Sequence, residues 1–421
     1  MEYSTGINHP KTVKDIMLGS NIYTKAYILI FFIFSLQIAP NDILLALSIF
    51  VFLTADTETS VYLYIFSLPW MNVGRFSFGL TISLANTLVL LFKILFYNKI
   101  LRLRYLELLI GVYLLGVGLA ALMIYQTLTG ISIFFYFIIS VYIHSTYAAN
   151  TDRCDEFWRK CLLIILISTA IGVLYGFRAQ TGLDRWIKGM GNVTQLYGTL
   201  GTSRFGLFLA LSMLYPLYYA KNKLIKAILI ISLVAAILST ISLTSILLLL
   251  LVLVYYFFTT VHMNAKSIGV VLLALLFVFI IVLNWDQIGN ISFLKPVYSR
   301  VNQAITQLKV GDINSATTGR LERTEEYIEV FESSGFFGKA FGSAALSATE
   351  IGYSHNSYVD MLNYCGILGV ALFLILQIKR ITVYMKTSVK KPAILSKLLF
   401  FSVAATVSVF SAQYWEIFFF I

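Results

Sequence analysis

The run Ser354-His355-Asn356-Ser357-Tyr358 stands immediately before a long apolar stretch. It is reached through a polar segment carrying Arg320 and the turn Gly338-Lys339-Ala340-Phe341-Gly342. An imidazole titrates near neutral pH and can take the proton of a hydroxyl. A guanidinium stays charged and grips phosphate oxygens in pairs. Placed together at the surface of a lipid-soluble body, they point to a site handling an anionic, lipid-borne substrate. Gly338 and Gly342 would allow close backbone approach or positive φ.

The elements that must position these groups can be read from spacing. Leu321, Thr324, Ile328 and Phe331 recur at helical intervals with glutamates opposite, which predicts a helix over about 319–333. Thr317 or Thr318 is the expected cap, and Ser333-Ser334-Gly335 the expected end. Arg320 falls in the first turn, where the macrodipole disfavours a cation unless an anion binds there. The plain alternative is an ion pair with a glutamate on a solvated face.

The chain has 421 residues, of which 59% are hydrophobic and only 12% charged. That balance predicts an all-α, polytopic integral membrane protein, and the apolar runs lack the alternation of a barrel. Spans are expected at about 26–40, 42–56, 60–73, 79–97, 106–126, 131–149, 158–177, 203–220, 225–241, 243–261, 267–284, 356–378 and 395–415. Several are short, so about 12 spans, give or take one, is the expectation. The first 25 residues are polar, and the first span is expected to act as the insertion signal. Three cysteines imply no disulfide framework.

The net charge of +11 gathers in short stretches between apolar runs. Lys99, Arg102 and Arg104 form one cluster, and Lys221, Lys223 and Lys226 another. Lys379, Arg380, Lys386, Lys390, Lys391 and Lys397 form the largest. This distribution argues for cytoplasmic loops against anionic headgroups and excludes a nucleic-acid partner. Alternation then places 178–202 and 285–355 on the other side. The second of these carries eight acids against six bases, as suits a translocated loop. The expected organisation is 1–284 as N-terminal membrane helices with the smaller loop, 285–355 as one large extracytoplasmic loop, and 356–421 as C-terminal membrane helices. No metal-ligand spacing or nucleotide-binding glycine loop is present, so no metal and no cofactor is expected. Arg178, Arg185 and Lys188 read either as phosphate or glycan contacts or as solvated charge. Trp186, Tyr197, Tyr353 and Tyr358 read as sugar-stacking or membrane-belt aromatics.

Four segments together resemble a known family. Gly319-Arg320-Leu321-Glu322, Gly335-Phe336-Phe337-Gly338-Lys339-Ala340-Phe341-Gly342, Ser354-His355-Asn356-Ser357-Tyr358-Val359 and Gly366-Ile367-Leu368-Gly369 are similar, in order and spacing, to the signature of the O-antigen polymerase and O-antigen ligase superfamily. Thr324, Gly335 and Ala340 depart from it, standing where the family often has tryptophan, proline and glycine. Ser203-Arg204-Phe205-Gly206 resembles a further family arginine at an external helix start.

The resemblance implies a metal-independent membrane glycosyltransferase whose donor is an undecaprenyl-pyrophosphate-linked oligosaccharide. Arg320 and Arg204 would hold the diphosphate and His355 would act as base. Asn356 would orient the imidazole or a sugar hydroxyl, with Tyr358, Gly338, Gly342, Arg185 and Lys188 as further substrate contacts. A polymerase of O-antigen, capsule or exopolysaccharide units is favoured over a ligase that moves glycan to lipid A-core, and both over a flippase or exporter. The implied setting is a bacterial inner (cytoplasmic) membrane with the site facing outward. A chain-length regulator is a candidate partner.

Overall fold

In a computed structural model of the chain, the described residues are 22–70, 73–74, 76–77, 80–97, 104–126, 128–148, 153–176, 202–260, 284–291, 294–312, 314, 320–333, 336–339 and 356–405. They form helices joined by turns. The first ten are α1 (Ile22–Leu36), α2 (Asn41–Thr54), α3 (Thr57–Ser67), α4 (Ile82–Tyr97), α5 (Tyr105–Tyr125), α6 (Thr129–Ile143), α7 (Cys154–Gly176), α8 (Thr202–Tyr218), α9 (Lys223–Ser239) and α10 (Leu243–Thr260). A 3₁₀ turn, Leu68–Trp70, continues α3, and a π-helical turn, His144–Ala148, continues α6. Three polar-loop helices follow, α11 (Trp285–Ile288), α12 (Lys295–Lys309) and α13 (Arg320–Glu332). The last two are α14 (Ser357–Tyr384) and α15 (Lys390–Ala404).

Among the described residues, five segments are long and apolar enough to cross a membrane: Tyr105–Tyr125, Gly130–Tyr147, Cys154–Gly176, Leu243–Thr260 and Ser357–Tyr384. The helices Ile22–Leu36, Asn41–Thr54 and Ile82–Phe96 are apolar but shorter. Large apolar side chains such as Phe50, Phe96, Val112, Met123, Ile231 and Phe258 stand exposed on the outside of the bundle. Such a surface suits hydrocarbon rather than water. The expected span at 267–284 lies outside the described residues, apart from its last position.

Helix α8 runs through the core, packed on α7, α9, α10 and α15. Phe205, Phe208, Leu209, Ala210, Met213 and Leu214 on it are fully buried. A Cβ on Gly206 would come within 1.9 Å of Ser245 Oγ, so α8 and α10 cross there at backbone distance. A second core is aromatic: Phe31 lies 5.0 Å from Trp70 and 5.3 Å from Phe66, ring centre to ring centre. Two of its polar groups donate within it. Trp70 Nε1 donates to Ser168 Oγ at 3.0 Å, and Asn86 Nδ2 to Tyr27 OH at 2.8 Å. Lys93, buried, donates to the carbonyls of Phe52 and Ala55 at the end of α2, where a cation meets the negative end of the helix.

The feature that matters most for the site is a break in α14. Gly366 has φ 66° and ψ −174°, so the helical ladder is interrupted inside an apolar helix. The turn Phe336–Lys339 fills the gap. Ile367 N donates to Phe336 O at 3.1 Å, and Lys339 N donates to Asn363 O at 2.7 Å. Tyr113 OH, from α5, donates to the carbonyl of Cys365. Both glycines are required by this contact. Gly338 has φ +68°, and a Cβ there would lie 2.7 Å from the carbonyl oxygens of Leu362 and Asn363. A Cβ on Gly366 would lie 2.2 Å from Phe336 O.

The largest basic cluster is not the loop that the sequence suggested. α14 runs to Tyr384 and α15 starts at Lys390, which leaves only residues 385–389 as the connection. Arg380 and Lys397 are each 2% exposed and face the bundle rather than headgroups. They turn inward because neutral polar partners wait there: Ser140 Oγ for Arg380 Nη2 and Gln377 Oε1 for Lys397 Nζ, both at 2.9 Å.

Replacing Gly366 with alanine forces both a positive φ and a collision with Phe336 O. We expect Gly366→Ala to destabilise the protein by about 3 kcal/mol or more. Melting of the purified protein in detergent should show it, and an unchanged melting temperature would contradict the backbone docking described.

Candidate functional site

Helix α13 is the first element of the site. Its start is held by Asn314, whose Oδ1 accepts from Glu322 N at 3.3 Å and whose Nδ2 donates to Glu322 Oε2 at 2.9 Å. The expected caps, Thr317 and Thr318, lie outside the described residues. The buried face is also shifted from the expected one. Leu321 and Ile328 are 41% and 38% exposed, whereas Tyr327 is 3% exposed. The cause is a specific bond. Asn363 Nδ2, from α14, donates to Tyr327 O at 2.8 Å and turns that side of α13 inward. Thr324 and Phe331 belong to both faces, so the apolar period alone left the rotation ambiguous.

This rotation places Arg320, half-buried, in line with Thr324 and Tyr327. Glu322, Glu325, Glu326, Glu329 and Glu332 are exposed. Burial, followed by the charge of Arg300 on α12, pushes the Arg320 guanidinium below its ordinary value. An arginine remains cationic through such a shift. Arg300 is half-buried too, and its Nη1 donates to Gln303 Oε1 at 3.0 Å. The sequence reading missed Arg300 as a site residue. Its signal was available: Lys295–Lys309 is a helix with bases and no acid, set before an acidic one.

The first turn of α14 is the second element. Asn356 is its N-cap, Oδ1 accepting from Tyr358 N at 3.0 Å and Val359 N at 3.4 Å. Tyr358, half-buried, donates its hydroxyl to Phe401 O at 3.1 Å and so ties α14 to the end of α15. Asp360 and Asn363, both buried, complete this turn and the next. Neither was singled out from sequence. A buried carboxylate four residues beyond the Asn356 cap is a charged group that the membrane interior tolerates only with partners.

Arg204 is the third element, half-buried in the first turn of α8. Its neighbour Ser203 meets Ser242 at the start of α10, hydroxyl to hydroxyl, at 3.0 Å. The far end of α10 meets the start of α15, where Lys391 Nζ donates to Thr259 O. The far end of α15 meets the start of α14 through Tyr358. By this chain of contacts Arg204, Asn356, Tyr358 and Gly338 share one end of the bundle, and α13 with Arg320 docks on α14 there. Arg320, Gly338, Asn356 and Tyr358 are joined through α14, and Arg204 stands on a separate helix. His355, Gly342, Arg185 and Lys188 lie outside the described residues. Among the described residues no three His, Cys, Asp or Glu side chains are grouped as metal ligands.

The arrangement gathers permanent cations, Arg320 and Arg300 in the loop and Arg204 on α8, at one end of an apolar bundle. Cations so placed attract phosphate oxygens from the interface, and partial burial strengthens the attraction.

Asn363 is the residue on which this placement turns. We expect Asn363→Leu, close in volume, to cost about 1–3 kcal/mol and to free α13 from α14. Limited proteolysis should then cut between 314 and 336 faster than in the parent, and an unaltered cleavage rate would show that α13 is held some other way.

No protein-family model matches the chain, and neither a curated protein nor a solved structure does.

Proposed function

We propose that this protein is a membrane glycosyltransferase of about 12 spans that polymerises lipid-linked repeat units of a surface polysaccharide. The observation that carries the reading is the half-buried Arg320, with the charge of Arg300 beside it, on a loop helix docked against the start of an apolar helix. That is where the diphosphate of an undecaprenyl-pyrophosphate donor would sit, its prenyl chain in the bilayer and its sugar in the polar loop.

In the proposed reaction an acceptor sugar hydroxyl attacks C1 of the donor glycan. The C1–O bond to pyrophosphate breaks and undecaprenyl pyrophosphate leaves. The hydroxyl proton passes to His355. Arg320 and Arg204 neutralise the charge that grows on the departing diphosphate, a role in which removal of one preorganised group costs about 10²–10³ in rate. No metal is needed, because the donor already carries an activated leaving group. The proposed setting is a bacterial cytoplasmic membrane, with the basic helix ends inward and the Arg320 end outward.

Glycan profiling of cells carrying Arg320→Ala, Arg320→Lys or His355→Ala, at checked protein levels, tests this. Single repeat units should accumulate in the alanine variants, with product chains reduced by about a hundredfold or more. Lysine should restore only part of the loss, since it lacks the bidentate fork. Long chains that stay on undecaprenyl pyrophosphate would instead make the protein a ligase. Parental glycans in all three variants would overturn the reading.

A further inference from the structure

The break in α14 divides that helix into two stretches with different surroundings. From Ser357 to Gly366 no residue is exposed, and Ser357, Asp360 and Asn363 among them are buried polar groups. From Ile367 onward the helix exposes Ile367, Ala371, Leu374, Ile375 and Ile378, three and four residues apart, which make one apolar stripe. No acid occurs between Ile367 and Tyr384. The exposed carboxylates of Glu325, Glu326, Glu329 and Glu332 belong to α13, which docks before the break through Tyr327 and Asn363.

Length gives the same dividing line. The whole of α14 is about 42 Å long at 1.5 Å per residue, more than a hydrocarbon core of about 30 Å requires. From Ile367 to Tyr384 it is about 27 Å, close to that thickness. Tyr113, which bonds the Cys365 carbonyl, belongs to the membrane-length helix α5, so the break lies within reach of the apolar layer and not above it.

At the break the apolar stripe does not stop. Phe336 and Phe337, 53% and 65% exposed, lie on the turn that fills the gap, their rings edge to face at 5.3 Å. A Cβ on Gly366 would come within 2.7 Å of Phe337 Cα, and Ile367 N donates to Phe336 O, so the pair sits directly at the top of the stripe. Two adjacent exposed phenylalanines are unfavourable in water and suited to the boundary between headgroups and acyl chains. The backbone that carries them is bonded to α14 at Phe336 O and Lys339 N, which is the condition for non-helical chain to enter an apolar medium. Lys339, half-buried, stands two residues on, and a lysine at such a level can keep its stem in the apolar layer and its ammonium among phosphates.

We propose that the Phe336–Phe337 pair is a membrane anchor. Both rings insert into the acyl boundary of the leaflet at the Arg320 end of the bundle, and the polar loop rests on lipid at the turn that mends α14. The lipid-facing stripe of α14 continues through the pair onto the loop.

Nitroxide labels on cysteines introduced one at a time, Phe337→Cys, Ile367→Cys, Ile375→Cys and Glu329→Cys, test this in nanodiscs of phosphatidylethanolamine and phosphatidylglycerol. The native Cys154, Cys161 and Cys365 are free and buried, and the parent taken through the same labelling gives the background. Power saturation compares collision with oxygen, which concentrates in hydrocarbon, and with a water-soluble nickel chelate. The ratio of oxygen to nickel accessibility should rise several-fold from position 329 to position 337, and climb further at 367 and 375. Should the Phe337 variant not fold, Phe336→Cys carries the same expectation. A label at 337 as open to the nickel chelate as the one at 329 overturns the proposal. If 375 is then lipid-like the anchor alone fails, and if it is not the membrane reading of α14 falls with it. A label at 337 closed to both reagents also overturns the proposal, since the pair is then covered by protein, either this chain or a second copy.

Discussion

In hydrocarbon a backbone amide or carbonyl without a partner costs several kcal/mol, so a helix that breaks inside an apolar bundle must be mended by its neighbours. The break at Gly366 is mended by two. Tyr113 takes the Cys365 carbonyl, and the turn Phe336–Lys339 supplies an acceptor for Ile367 N and a donor for Asn363 O. A polar loop is thereby bonded to a membrane-length helix through the main chain. That bonding fixes where the loop sits, whatever side chains decorate it. The position of α13, and with it Arg320, follows from the same junction, because Asn363 grips Lys339 by its carbonyl and Tyr327 by its side chain.

The sequence made the elements legible and left their faces unread. Apolar runs located α5, α6, α7, α8 and α10 within a few residues, since length and hydropathy suffice for that. Helix α13 was read nearly to its ends. Gly338 stood out as a turn residue and Gly366 as part of a glycine step. Nothing in their spacing showed that they press on each other, because two positions 28 residues apart in the chain leave no periodic trace. Tyr327 was passed over in favour of Ile328, since tyrosine is amphipathic and an apolar count scores it weakly. Arg380 and Lys397 were read as loop charges because a basic cluster between apolar runs usually is one. Which way a lysine near a helix end points depends on what faces it, and here Gln377 does. The histidine of the candidate site lies outside the described residues, so its setting rests on the sequence alone.

Cations are used in three distinct ways in this molecule. Lys93 and Lys391 donate to helix-end carbonyls, where the macrodipole welcomes them, and that use is architectural. Arg380 and Lys397 are buried in the bundle, where they donate to Ser140 Oγ and Gln377 Oε1. Arg320 sits at the positive end of α13 beside another arginine, a position that neither its own helix nor Arg300 favours. Net charge, which first suggested only contact with headgroups, therefore conceals roles that burial and partners separate.

The junction at Gly366 also constrains how the site can work. A loop attached only by side chains could swing as a lid, but α13 cannot leave α14 without giving up the Asn363–Tyr327 bond, and the turn cannot leave without exposing Ile367 N and Asn363 O to an apolar surround. Each loss costs more in a membrane than in water. Arg320 on α13 is accordingly held in one place against α14. In the sequence His355 immediately precedes Asn356, the N-cap of α14. A broken, mended helix is suited to holding the charges of the loop in one place against the bundle.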